Sequence, residues 1–183
     1  KALPELLRKL AEIPGIYWIR ILYCYPEEIT EELIQTIKTE PKVCHYLDIP
    51  IQHASDAVLK RMGRRTNQEQ LRTMVARLRE EIPDICLRTT LITGFPGETQ
   101  EDHEELIDFV DDCEFDRLGV FTYSQEEDTS AALMPDQIDE EIKLERQQQL
   151  MELQQFIAFE KAEEMIGRVL VVMVEGKIAE DDV

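Results

Sequence analysis

The sequence predicts an α/β fold, a parallel sheet whose strands alternate with helices through right-handed crossovers. Three observations carry this. Apolar, β-branched or aromatic stretches at Ile16–Tyr23, Val43–Gln52, Cys86–Thr93 and Phe115–Ser124 read as strands. Between them apolar residues recur every three to four positions, the period of an amphipathic helix. Proline or glycine punctuates most joins, and the links are short. Four strands are too few to close an eight-stranded barrel, so an open doubly wound sheet and part of a barrel both fit.

Taken in order, Leu3, Leu6, Leu7 and Leu10 predict a helix within residues 1–13, ended by Pro14-Gly15. The strand at Ile16–Tyr23 is broken by Tyr25-Pro26. Ile29, Leu33, Ile34 and Ile37 mark a helix that stops near Pro41. In Val43–Gln52, Pro50 has no N–H for the ladder, so the strand must finish or bulge there. Ser55–Met62 reads as a short helix running into Lys60-Arg61-Met62-Gly63-Arg64-Arg65. That basic cluster can grip phosphate, although a solvated helix end is the commoner use. Thr66-Asn67-Gln68-Glu69 has the form of a capping box, and Leu71, Met74, Val75, Leu78 and Ile82 form the stripe behind it, ended by Pro83. After the third strand, a helix at 100–113 buries Leu106, Phe109, Val110 and Cys113. Ile138 to about Met165 is one long helix, with Ile142, Arg146, Leu150, Leu153 and Ile157 on one side. Arg168–Glu175 then predicts a fresh strand.

The stretch Cys86–Thr99 organises the chain. Alternation puts Arg88, Thr90, Ile92 and Gly94 on one face and Leu87, Thr89, Leu91 and Thr93 on the other. A guanidinium on such a strand needs an anionic partner. Either a ligand's carboxylate or phosphate supplies it, or a neighbouring-strand residue such as Asp48 does. The strand feeds Gly94-Phe95-Pro96-Gly97-Glu98-Thr99, a glycine turn opening a helix, which is where α/β proteins place ligand sites.

Hydrophobic residues make up 43% of the 183, enough for a core, and no apolar run reaches the roughly 18 residues of a membrane span. The net charge of −19 is unevenly spread. Residues 1–92 are close to neutral, whereas residues 93–183 carry 26 Asp and Glu against 6 Lys and Arg. Such a half repels phosphate backbones and attracts basic partners. Cys24, Cys44, Cys86 and Cys113 are too far apart for a zinc knuckle, a redox pair or an iron–sulfur motif. Cys86 and Cys113 fall in apolar patterns and read as buried reduced thiols, which suits the cytoplasm. The glycine turn lacks the lysine of a P-loop, and no nucleophile elbow, His-Glu-x-x-His or dinucleotide fingerprint occurs. His53 lies at a strand's carboxyl end, and His103, in an acidic helix, is expected to be exposed.

Four segments carry a resemblance. Leu47-Asp-Ile-Pro-Ile-Gln-His53, Val58-Leu-Lys-Arg-Met62, Arg88-Thr-Thr-Leu-Ile-Thr-Gly-Phe-Pro-Gly-Glu-Thr99 and Phe115-Asp-Arg-Leu-Gly-Val-Phe-Thr-Tyr-Ser124 resemble the radical S-adenosylmethionine methylthiotransferases in order and spacing. Tyr25-Pro-Glu-Glu-Ile-Thr30 and Phe121–Gln137 are more similar to the branch acting on a ribosomal-protein aspartate than to the transfer-RNA branch. The resemblance implies the C-terminal part of a partial (β/α) radical-SAM barrel over residues 1–137, a connecting helix over 138–166, and the first strand of a truncated β-barrel (TRAM) domain over 167–183. It implies S-adenosylmethionine and two 4Fe-4S clusters as cofactors of the parent enzyme. It also implies methylthiolation at the β-carbon of an aspartate in a basic small-subunit ribosomal protein. The family's Cys-x-x-x-Cys-x-x-Cys is absent here. The chain, which does not begin with Met, therefore reads as an excerpt, inactive alone, with no metal ligands of its own. The cofactor wall implied is Arg88 on the carboxylate of S-adenosylmethionine, Gln52 on its polar groups, and Ile92 and Gly94 on the adenine side, bordered by backbone at Phe121–Tyr123. Two alternatives share the features: a transfer-RNA adenosine methylthiotransferase, and a non-catalytic acidic α/β binding module.

Overall fold

The computed structural model describes residues 2–174 and 176. Its elements are α1 (Leu3–Ala11), β1 (Ile19–Ile21), α2 (Glu31–Thr39), β2 (Val43–Gln52), α3 (Asp56–Arg61), α4 (Gln68–Glu81), β3 (Cys86–Thr93), α5 (Gln100–Cys113), β4 (Arg117–Thr122) and α6 (Glu140–Glu163). The strands form one parallel sheet in the order β1-β2-β3-β4. Sequential parallel neighbours, each reached through a helical crossover, are what the strand–helix alternation requires.

Burial along β3 alternates as the period of two demands. Leu87, Thr89, Leu91 and Thr93 are buried, while Arg88, Thr90 and Ile92 are half-buried. The buried face packs on the helices, where Leu47 and Leu91 meet Leu78 of α4 and Leu106 and Phe109 of α5 in one core. The other face lines the inner side of the sheet. Pro50 acts as expected: Ile49 pairs with Thr89 but Gln52 pairs with Leu91, so β2 holds one extra residue there. Thr89 fills the gap, its hydroxyl donating to the Ile49 carbonyl at 2.8 Å. The bulge delivers Gln52 in a left-handed backbone conformation (φ 78°), a strained state for a residue with a side chain.

Several local expectations shift. β1 spans only Ile19–Ile21, because Tyr23 takes φ 55° and leaves extended space. The capping box on α4 is Asn67 with Gln70 rather than one opened by Thr66, since Asn67 is the extended residue whose side chain accepts from Gln70 N. Thr99 and Asp102 form a second box at the start of α5. Ile142 faces outward at 41% exposure, and the inward face of α6 includes Lys143, Arg146 and Gln154. The reason is what α6 packs on. It crosses the strand ends and the free side of β4, where backbone carbonyls need donors. Gln147 donates to Val120 O at 2.7 Å and Gln154 to Phe115 O at 2.8 Å. Residues 168–174 adopt no regular element and pair with no strand among the described residues. The remainder of the expected β segment, Glu175 and Lys177–Val183, lies outside the described residues.

Candidate functional site

The carboxyl ends of β2, β3 and β4 border a cavity of about 670 Å³, within the usual range for small-molecule sites. Gln52 comes from the end of β2, Thr90 and Ile92 from the inner face of β3, and Phe121, Thr122 and Tyr123 from β4. Tyr123 stands edge-on to Phe95, ring centroids 5.3 Å apart, and its buried hydroxyl has no hydrogen-bond partner among the described residues. Ser130, Ala131 and Met134 of the loop after β4 complete the lining, together with Arg61, Met62 and Arg64 from the end of α3 and the turn after it.

Of the four residues expected to wall a cofactor, the structure brings Gln52 and Ile92 to this cavity, together with the predicted Phe121–Tyr123 border. Arg88 and Gly94 are not among its lining residues. Arg88 lies lower on the inner face, where its guanidinium donates to Asp48 Oδ2 at 2.7 Å from the register-paired position on β2. Asp48 is 3% exposed, so the pair satisfies a charge that burial would otherwise make costly. A Cβ on Gly119 of β4 would meet this guanidinium only at ordinary van der Waals distance, 3.8 Å from Nη2, so the arginine packs beside that glycine without depending on it. The strand alternation placed Gly94 on the inner face, but β3 ends at Thr93 and Gly94 turns at φ 72°. A Cβ there would run into the Lys143 side chain of α6. Its glycine is needed for the turn and the close helix, not for the cavity.

Two cavity arginines stand where a solvated helix end was expected. Arg61 donates to Pro96 O at 3.2 Å, and its guanidinium occupies the space that a Cβ on Gly97 would need. Arg64 donates to Pro50 O at 3.3 Å and lies over the Tyr25 ring, 5.5 Å from its centroid. Neither forms an ion pair with an acid among the described residues. A guanidinium carries five N–H donors, so each retains donors for a ligand. Gly63, at φ 72° between them, folds the chain back after α3; that glycine was the readable signal.

Behind the cavity lies a buried polar centre. Glu98, 4% exposed, accepts from Gly94 N at 2.7 Å and Phe95 N at 3.2 Å through Oε2, and from Arg146 at 2.9 Å through Oε1. Arg146 also donates to the Glu98 carbonyl. One carboxylate thus closes the turn after β3 and clamps α6 to it. His53 is fully buried. Its Nδ1 accepts from Ser55 N at 3.0 Å, and its Nε2 stands 3.6 Å from Glu98. Asp102 is pulled in two directions: partial burial raises its pKa, while hydrogen bonds from Ser55 and Thr99 outweigh this and leave it lowered.

His103, expected to be exposed, is fully buried. Its ring packs toward α6, with Nε2 2.8 Å from Gln149 Oε1 and Nδ1 without a partner. Burial lowers its pKa from the ordinary 6.5, partly offset by the Gln149 hydrogen bond and the Glu98 charge. The unfolded chain takes up this proton near pH 6.5, the native chain only at lower pH. Stability therefore falls as pH drops below 6.5 and stops falling once the native imidazole is also protonated. The loss of denaturation midpoint between pH 7 and pH 5 is expected to be smaller in His103→Gln than in the wild type; equal losses count against the assignment.

Comparison with known proteins agrees with this architecture. The sequence signature of the Radical SAM superfamily matches residues 1–110. The ribosomal protein uS12 methylthiotransferase RimO of Lachnoclostridium phytofermentans is 68% identical over all 183 residues, which cover 42% of that protein. Its counterpart in Geobacter sulfurreducens is 58% identical over 175 residues, 96% of this chain and 39% of the relative. The chain thus spans about two-fifths of the length of the curated relatives it matches. Among solved structures, the radical SAM enzyme coproporphyrinogen III oxidase (HemN) of Escherichia coli superposes with a TM-score of 0.60 at 24% identity, over 87% of this chain and 36% of that one. The radical S-adenosylmethionine methyltransferase TsrM of Kitasatospora setae gives 0.53 at 21% identity, over 65% of this chain and 24% of that one. These two likenesses are of fold. With its parallel sheet, its cavity at the strands' carboxyl ends, and more than half its length matched, the chain belongs to the radical SAM superfamily.

Proposed function

We propose that this chain is the S-adenosylmethionine-binding part of a cytoplasmic methylthiotransferase that places a methylthio group on the β-carbon of an aspartate in ribosomal protein uS12. The carrying observation is identity of 68% across the whole chain to a protein named for uS12 methylthiolation. The charge supports it: an acidic C-terminal half favours a basic protein over transfer RNA. Gly167 onward is the start of the β-barrel (TRAM) domain in this reading.

Within the cavity, Ile92 offers an apolar surface to the adenine and Phe121–Tyr123 its border. Gln52, delivered to the cavity by the bulge, donates to polar groups of the methionine portion. Arg64 beside it, rather than Arg88, meets the cofactor's carboxylate, because the Arg88 charge is already matched by Asp48. S-adenosylmethionine supplies the radical chemistry when bound; these residues bind it, orient it and exclude water.

An iron–sulfur cluster does not fit the described residues. The four cysteines are free, with Cys24 in the loop after β1 and Cys44, Cys86 and Cys113 on β2, β3 and α5, and burial pushes the thiols of Cys24 and Cys113 up to about 11, so they stay protonated. No group of three or more His, Cys, Asp or Glu among the described residues converges as a metal site. The parent enzyme's 4Fe-4S clusters, in this reading, are held outside them.

The test is mass spectrometry of uS12 and of transfer-RNA nucleosides from a host lacking the gene. Loss of the methylthio increment from the uS12 aspartate is the expected result. Loss from an adenosine instead, or no change in either, overturns the reading.

A further inference from the structure

The cavity presents two cations, and their settings differ. Arg64 is half-buried and tied to the end of β2. Arg61 is exposed, and it is tied to the turn after β3 by the Pro96 carbonyl and by packing on Gly97. That turn is itself fixed from two sides, by Gly97 N donating to Asp136 O at 2.8 Å and by the Glu98 carboxylate beneath it. Arg61 is thus a guanidinium held against rigid backbone at the cavity's mouth, with free donors and no acidic partner among the described residues. A planar fork in this state is suited to receive a carboxylate through two parallel hydrogen bonds. A cofactor fills the deeper part of such a site, and a macromolecular substrate arrives last, from solvent. The group it meets first is the one at the mouth.

We propose that Arg61 receives the side-chain carboxylate of the target aspartate and so selects aspartate over its neutral isostere. This rests on the reading of the protein as a uS12 aspartate methylthiotransferase. Holding both carboxylate oxygens fixes the carboxylate plane and the direction of the Cβ–Cγ bond, which places the β-carbon relative to the cavity. Selection follows because an asparagine side chain presents an N–H₂ where the fork needs an acceptor, leaving a donor against a donor.

The test uses the full-length, cluster-reconstituted enzyme and two synthetic peptides spanning the uS12 target residue, one with the native aspartate and one with asparagine in its place. Affinity is read by fluorescence anisotropy, and S-adenosylmethionine affinity by equilibrium dialysis. The wild type is expected to bind the aspartate peptide at least about tenfold more tightly than the asparagine peptide. Arg61→Leu is expected to lose that preference while keeping its affinity for S-adenosylmethionine, which also reports a folded site. Arg61→Lys, with the charge but without the fork, is expected to recover part of the preference. If Arg61→Leu weakens both peptides equally, the residue contributes only general charge and the proposal fails. If it weakens S-adenosylmethionine instead, Arg61 faces the cofactor's carboxylate and the proposal fails. A wild type that binds neither peptide overturns the functional reading itself, an outcome visible before any variant is made.

Discussion

Replacing Glu98 with alanine is expected to destabilise the fold by about 3–5 kcal/mol, the range for removing one partner of a buried ion pair. The carboxylate has three clients. Its loss leaves Gly94 N and Phe95 N without acceptors and Arg146 with a buried, unmatched charge. Against a total stability of roughly 5–15 kcal/mol for a domain, that is a large share. Glu98→Gln, with its carbonyl oxygen in the place of Oε2, keeps the acceptor for both N–H groups but turns an N–H₂ toward Arg146 and loses the charge, so a smaller cost of about 1.5–3 kcal/mol is expected. Denaturant unfolding of the three proteins checks this. Equal midpoints for wild type and Glu98→Ala would remove Glu98 from its central place.

Arg88→Leu is the second large effect, and its signature is stability rather than binding. Asp48 is buried, and its Oδ1 already lacks a partner, so losing the guanidinium strands a carboxylate. The Arg88 side chain is 34% exposed, which lets water reach the pair and reduces the cost to about 1–3 kcal/mol. The double replacement Asp48→Leu/Arg88→Leu removes both charges from similar volumes and is expected to recover most of the loss. Because Arg88 does not line the cavity, the full-length enzyme carrying Arg88→Leu is expected to bind S-adenosylmethionine within about twofold of wild type. A tenfold weakening without loss of stability would instead place the cofactor's carboxylate on Arg88.

The fold was legible because it rests on periodicity. The β3 alternation, the bulge at Pro50 and the apolar stripes of α4 and α5 are local consequences of side-chain spacing, and each occurs as read. The site was legible in part. Gln52 and Ile92 reach the cavity because strand direction and register place them there. Arg88 is ambiguous in sequence because a charged residue on a strand looks the same whether its partner is a ligand or the adjacent strand, and the register is what brings Asp48 to it. Gly94 misleads because alternation stops where a residue enters left-handed space. The polar inner face of α6 and the burial of His103 are invisible in sequence for one reason. The partners that satisfy them, Phe115 O, Val120 O, Glu98 and Gln149, lie 27 to 48 residues away. A polar residue with an unseen partner reads as a surface residue.

The glutamines of α6 have one more consequence. By donating to Val120 O on β4 and to Phe115 O just before it, they occupy acceptors along this edge that a further strand would need. Among the described residues β1 pairs on one side only, with β2. Addition to this sheet is therefore directional. A fifth strand, from the same polypeptide or from another, has its docking line beside Ile19–Ile21, so the sheet's growing end and its finished end are written into different residues of the same layer.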